Sequence, residues 1–229
     1  MDEVEERLTE VMTASLESVV DVEHQVLPPA RVVREWRLPE GDLSALAKWG
    51  LPPVALGVLD FQVESEPVLV PNVAGPVESR LITPEDRLYR VGRLGSDDSS
   101  AFVGAVDNDG RIMAIHDKPL TAQDMHPDLR EHYRDLYRPS VYLINSSMAH
   151  LVEISWRWLA TLDIFSSLEF AARASLEDAD EYLGSVDEYY ARMASYQRLV
   201  LEHIERIDDQ VRADDPESYW GQTVTDPGC

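Results

Sequence analysis

Ala101-Phe102-Val103-Gly104-Ala105-Val106-Asp107-Asn108-Asp109-Gly110-Arg111-Ile112-Met113-Ala114-Ile115-His116 is the stretch that decides the fold class. Two apolar runs flank Asp107-Asn108-Asp109-Gly110, and Asp with Gly at a tight turn between such runs signals a β-hairpin. Upstream, Val58 to Val63 reads as a strand. Arg87 to Leu94 reads as another, with Leu88, Arg90 and Gly92 on one face and Tyr89, Val91 and Arg93 on the other. Downstream, Val141 to Ile144 reads as a buried strand. Asn145 or Ser146 can then cap a helix running to about Ala174. Met148, Leu151, Val152, Ile154, Trp156, Trp158, Leu159, Leu162 and Phe165 make that helix apolar on most sides, so it belongs in a core. The sum is a mixed α+β fold with predominantly antiparallel pairing.

Outward from this centre the signals weaken. Residues 2–20 read as one amphipathic helix, with Val4, Leu8, Val11, Met12, Leu16 and Val19 at helical steps. Asp2, Glu3, Glu5 and Glu6 complement the dipole in its first turn. After Pro28-Pro29, the span Arg31 to Arg37 reads as an early strand. A short helix over about 42–49 turns Leu43, Leu46 and Trp49 inward and ends at Gly50. Loop 95–100 is polar, and residues 64–86 show little pattern. Residues 119–138 carry a weak helical pattern in Leu129, Tyr133, Leu136 and Tyr137. Ser175-Leu176-Glu177-Asp178 resembles a capping box that opens a last long helix. From it, Leu176, Ala179, Leu183, Val186, Tyr190, Met193, Val200, Ile204, Ile207 and Val211 follow a three–four spacing. The spacing permits a coiled coil, but an amphipathic helix lying along the body of the same chain is preferred. Asp214-Asp215-Pro216 ends the run before a short turn at Tyr219-Trp220.

The chain has 229 residues, which allows one large domain or one and a half, and its 44% hydrophobic content is enough for a real core. Acidic residues number 43 against 20 basic, a formal charge of −23. Phosphate contacts need clustered Lys and Arg, so nucleic-acid binding and attachment to an anionic membrane are both disfavoured. A basic protein would instead be drawn in by this field. A single cysteine, Cys229, forbids an intrachain disulfide framework and suits a reducing cytoplasm. The acidic N-terminus is unlike a signal peptide, and no run of apolar residues is long enough to span a bilayer.

Catalytic signatures are missing. Neither a Gly-x-Ser-x-Gly elbow, nor a Walker loop, nor a dinucleotide fingerprint occurs. Asp107-Asn108-Asp109-Gly110 fails as a calcium loop, because Arg111 and Ile112 stand where an oxygen ligand and a glycine belong. The six histidines, His24, His116, His126, His132, His150 and His203, form no ligand pattern and read as surface or capping residues. Asp208-Asp209 reads as part of a solvated acidic run. No catalytic residue, cofactor or metal site is therefore expected. The distribution of acid is the remaining feature: residues 177–229 carry 14 acidic and 4 basic residues. Loop 95–100 and the hairpin tip would join that surface if they share a side with the terminal helix.

Several segments, in order, resemble the SUKH superfamily of bacterial immunity proteins, specifically its fourth subfamily. They are Leu38-Pro39-Glu40-Gly41-Asp42-Leu43-Ser44-Ala45-Leu46-Ala47-Lys48-Trp49-Gly50-Leu51-Pro52, the strand Arg87 to Gly92, and the hairpin Val103 to Ala114. Tyr142 to Met148 followed by Trp156-Arg157-Trp158, and the closing Asp215-Pro216-Glu217-Ser218-Tyr219-Trp220, complete the set. The resemblance implies a curved, mainly antiparallel sheet flanked by helices, with long C-terminal helices. It divides the chain into an N-terminal helix and linker over 1–30 and a SUKH-like domain over 31–229. It also implies a non-catalytic protein that binds and occludes a cognate toxin, often a nuclease or nucleic-acid deaminase domain. The expected contact residues are Asp97, Asp98, Asp107, Asp109, Asp180, Glu181, Asp187, Glu188, Tyr189 and Trp220. Trp36, Trp49, Trp156 and Trp158 are expected in the core instead. The alternative function is a general interaction module that self-associates, as a homodimer, through helix 176–211.

Overall fold

A computed structural model describes residues 2–97, 99–176 and 182–226, and the side chains among them outside 171–186. Its first elements are α1 (Glu3–Thr13), α2 (Leu16–Val19), α3 (Ala30–Glu35) and α4 (Glu40–Trp49). The strands are β1 (Val58–Leu59), β2 (Leu88–Arg93), β3 (Phe102–Val106), β4 (Ile112–Ile115), β5 (Leu120–Thr121), β6 (Tyr137–Arg138) and β7 (Val141–Asn145). Helices α5 (Met148–Leu176), α6 (Tyr182–Ile207) and α7 (Tyr219–Thr225) follow.

Five strands form one antiparallel sheet in the order β1-β2-β3-β4-β7, so the α+β expectation holds. The hairpin forms as expected, with β3 and β4 paired from Phe102–Ile115 to Ala105–Ile112. Its turn needs left-handed backbone at Asn108 and Gly110 (φ 63° and 88°), conformations that Asn and Gly adopt most readily. Alternation along the strands divides the side chains between two cores. Tyr89, Val91, Val103, Ala105, Ile112, Ala114 and Ile144 face the helices. Leu88, Val106, Met113, Ile115 and Val141 face the other way, where Leu69, Val73, Leu81 and Ile82 cover them. The unpatterned stretch 64–86 is thus the lid of a second core. It lacks periodicity because it is held by tertiary hydrogen bonds: the buried Glu78 carboxylate accepts from Tyr137 Oη (2.8 Å) and from the Ser140 amide and hydroxyl (3.0 and 3.1 Å).

Four expectations are corrected. Residues 31–37 do not form a strand; Ala30–Glu35 is helical, because Val32 and Trp36, four apart, both point into the core. Arg31 and Glu35 reinforce that turn with an i, i+4 ion pair. The helical pattern over 119–138 yields short turns and the β5–β6 pair instead. Leu129, Tyr133 and Tyr137 stay exposed there, so no packing stabilises a helix. The strand at Val58 is regular for two residues only, although the Asp60 and Gln62 amides still donate to Val91 and Arg90 carbonyls. Ser175 starts no helix: it lies within α5, whereas a cap needs extended backbone, and residues 177–181 fall outside the described ones.

The N-terminal amphipathic run breaks at Ala14-Ser15 into α1 and α2. Leu8 and Met12 are buried in the main core, against α5 and α6. The buried Arg157 of α5 explains where α1 stops: its guanidinium donates to the Val11 and Ala14 carbonyls (2.7 and 3.0 Å) and to Glu153 (2.7 Å). The last carbonyls of a helix have no partner of their own, and a cation there also suits the dipole. Arg157→Met keeps the stem and deletes these donors. The expected cost is about 1–3 kcal/mol, with faster hydrogen exchange confined to α1. Exchange that accelerates uniformly along the chain would contradict this role.

On α6, Val200 and Ile204 are buried, and Val211 just beyond the helix is too, while Met193 and Ile207 pack against them. The three–four spacing there is consumed by the chain's own core, in agreement with a helix lying along the body. Tyr190 is exposed, and the side chains of Leu176, Leu183 and Val186, with Ala179, fall outside the described ones.

Candidate functional site

The loop carrying Asp97 precedes β3 and the turn carrying Asp107 and Asp109 follows it. Five strand residues, about 17 Å, separate them, so they stand at opposite ends of the strand rather than on one patch. The turn is also neutralised. Arg37 donates to Asp107 Oδ1 and Oδ2 (3.0 and 2.8 Å), and Arg111 Nε donates to Asp109 Oδ2 (2.7 Å). Asp97, Asp187 and Glu188 are exposed, with Glu188 paired to Arg192 (2.6 Å). Tyr189 is half-buried. Asp98, Asp180 and Glu181 lie outside the described residues.

Trp220 is corrected: it is buried, and its indole N–H donates to Asn145 Oδ1 (3.1 Å), so it cannot be an interface anchor. Tyr89 is buried as well, stacked on Trp36 at 4.8 Å between ring centres. Trp36, Trp156 and Trp158 are core residues as expected, and Trp49 is half-buried against them.

Trp220 leads into a polar cluster that the sequence reading missed. Asp208, expected in a solvated run, is fully buried just past the end of α6. Its Oδ2 accepts from Asn145 Nδ2 (2.9 Å) and from the Ser146 amide (2.8 Å), and lies 3.6 Å from His150 Nδ1. Burial alone would raise this carboxyl. The neighbouring His150 ring and the hydrogen bonds from Asn145 and Ser146 outweigh it and hold Asp208 well below the usual carboxylate range. From the other side Asp42 of α4 accepts from the Ala149 amide (2.9 Å). Two carboxylates from distant segments therefore accept amides at and just before the start of α5, where Ser147 Oγ accepts from the His150 amide (3.0 Å) and the helix dipole favours anions. Gly110 completes the fit: a Cβ there would collide with Asp42 Oδ2.

One sequence signal pointed here. A carboxylate beside the C-terminal end of a helix opposes the dipole, so an Asp directly after α6 needs a partner elsewhere. His203 is also corrected, being buried on α6 where burial pulls its imidazole below its usual value.

The cluster makes a pH prediction. The Asp208 carboxylate 3.6 Å away raises His150 above its usual 6.5, against the opposing effect of burial, and Glu153 and Asp42 add to the rise. A raised histidine stabilises fully below pH 6.5, and that contribution is lost as pH rises through its folded value. Asp208, being lowered, stabilises above pH 3.8 and loses its contribution as pH falls below that. In urea titrations the stability gap between wild type and His150→Gln should shrink as pH rises above 6.5. A gap that stays constant from about pH 5 to about pH 9 would contradict the assignment.

The other motifs act the same way. Trp156 Nε1 donates to the Trp49 and Gly50 carbonyls (3.2 and 3.3 Å), closing the end of α4. Gly50 supports this with positive φ (56°) and close contact with the Val26 carbonyl. Among the described residues no group of His, Cys, Asp and Glu could hold a metal ion. A surface recess beside Arg31 and Val63 to Glu66 brings together no catalytic set. No described helix is long and apolar enough to cross a membrane.

The architecture is thus that of an α+β protein whose signature residues lock its helices to its sheet. Residues 11–226 match the family model described as SUKH-4 immunity protein, and the chain belongs to that family. Membership places it among immunity proteins, a generally non-catalytic group whose role is to bind and inhibit a cognate toxin. Neither the curated proteins nor the solved structures returned a match.

Proposed function

We propose that the chain is a cytoplasmic, non-catalytic immunity protein that occludes a basic toxin domain, a nuclease or nucleic-acid deaminase, with its acidic outer surface. The family match over residues 11–226 carries this reading. Two observations support it. Buried Asp42, Glu78, Asn145, Arg157 and Asp208 all hold backbone or one another, so the chemistry-bearing groups of the interior serve the scaffold. The charge of −23 must then sit mostly outside, where it attracts a cationic surface from a distance. Asp97, Asp187 and Glu188 are the exposed acids favoured for contact. Asp107 and Asp109 contribute less, because Arg37 and Arg111 already neutralise them. Asp98, Asp180, Glu181 and Tyr189 remain contact candidates on their sequence positions. Self-association through helix 176–211 is disfavoured by the burial of Val200, Ile204 and Val211 in the chain's own core.

The test is co-expression with basic nuclease and nucleic-acid deaminase toxin domains, starting with the C-terminal domain of any large secreted protein encoded beside this chain's gene. Expected are rescue of growth, a stable complex, and association that slows as salt is raised. Growth arrest that persists at saturating amounts of the folded chain would refute the proposal.

A further inference from the structure

We propose that the chain pairs with a second copy of itself through the lobe between β4 and β7, residues 118–138, with Leu129 and Tyr133 at the centre of the contact. This pairing is independent of the immunity reading and leaves helix 176–211 outside the contact.

From His116 to Pro139 no residue is buried. So long a stretch outside the core, with only short elements of its own, is uncommon in a compact domain and is usually functional. The lobe is nevertheless firmly held. Its neck is closed by the His116 amide donating to the Ser140 carbonyl (2.7 Å) and by Asn72 Nδ2 donating to the Asp117 carbonyl (2.6 Å). β5 and β6 pair across it, and Tyr137 Oη donates to the buried Glu78 carboxylate (2.8 Å). Asp124 accepts from the Thr121 amide and hydroxyl (2.9 and 3.0 Å). Arg130 reaches back to the Met125 and Gln123 carbonyls (3.1 Å each).

Polar contacts thus supply the order, and apolar side chains are left over. The Tyr133 amide donates to the Leu129 carbonyl (3.0 Å), which closes one helical turn. That turn puts the two side chains, four apart, on the same side. Leu129 and Tyr133 are 45% and 44% exposed, and Leu120 and Tyr137 of the same lobe are exposed too.

Charge selects the occupant. Residues 118–138 hold four basic and four acidic residues, so the whole formal charge of −23 lies elsewhere. A strongly cationic partner is drawn to those other segments. For a second copy the preference reverses. Two chains of one sign meet with least repulsion where each is locally neutral, and the mixed charges of two lobes can pair across the contact. A standard interface takes about 20–30 residues from each side, and the lobe has that length.

Sedimentation equilibrium of the full chain reads the pairing directly. The expected dimer tightens as salt rises from about 50 to about 500 mM, because screening relieves repulsion between the two charged bodies. Leu129→Ala with Tyr133→Ala should weaken it at least about 30-fold without changing the circular dichroism spectrum. Phe170→Ala with Tyr190→Ala, exposed aromatics outside the lobe, should leave it intact. A chain that stays monomeric at up to about 1 mM protein in high salt overturns the proposal. So does a dimer that the Leu129 and Tyr133 double variant leaves unchanged, or one that loosens as salt rises. A monomeric wild type that binds a basic toxin domain, with binding lost in that double variant, gives the lobe to the partner and overturns the proposal as well.

Discussion

Asp208→Ala should lower the stability of the folded chain by about 3–5 kcal/mol, measured as a reduced urea midpoint at neutral pH. The substitution removes the acceptor of the buried Asn145 side-chain amide and of the half-buried Ser146 backbone amide. An unsatisfied buried donor costs about 1–3 kcal/mol, and the Asn145 amide becomes one. The negative group at the start of α5 and the partner of His150 disappear as well. Because a domain is stable by only about 5–15 kcal/mol, much of the margin goes. Asp208→Asn retains an acceptor oxygen without the charge, and should cost about half as much. A midpoint within error of wild type for Asp208→Ala would show that the cluster does not anchor α5.

Trp156→Ala should be comparably damaging, at about 3–5 kcal/mol. The indole is fully buried in the main core, so its loss combines reduced apolar burial with a cavity. It also closes the end of α4, and those carbonyls lose their donor. Trp156→Phe separates the two effects: the ring remains apolar, the N–H is gone, and about 1–2 kcal/mol is expected. By thermal unfolding, with about 2–4 °C per kcal/mol for a chain of this size, the alanine variant should melt about 10 °C lower. Equal melting of the phenylalanine and alanine variants would assign the whole effect to the hydrogen bond and refute the packing account.

Trp156, Arg157 and the hydrogen-bond partners of Asp208 belong to the segments that carry the family resemblance, and their contacts show that these segments build the scaffold. Asp42, Gly110, Asn145, Ser146 and Trp220 meet around the start of α5, though up to 178 positions separate them in the chain. They make the scaffold that holds α5 to the sheet in this chain.

Legibility in the sequence followed interaction range. The β3–β4 hairpin, the strand into α5, the helix ending at Gly50 and the apolar face of α6 rest on neighbours within a few residues, through turn chemistry, capping and periodicity. Those features were readable directly, as was the exclusion of the common catalytic motifs. The segment 31–37 mixes basic and apolar residues in a way that suggests a strand, yet Val33 and Trp36, three apart, would face opposite sides of one, whereas Val32 and Trp36, four apart, share a helix face that the core selects. Asp208 was misread because a carboxylate in an acidic run looks solvated until the start of α5 arrives beside it.

The sequence by itself determined the α+β class, the antiparallel hairpin, the strong negative charge and the family, because local geometry and composition are properties of the chain alone. Tertiary structure decided which charges remain available. It buried Asp208 and Trp220, paired Asp107 and Asp109 with arginines, and left Phe170 and Tyr190 in water. The physical reason is that exposure and ion pairing depend on contacts between segments far apart in sequence, and no local pattern encodes which segments will meet.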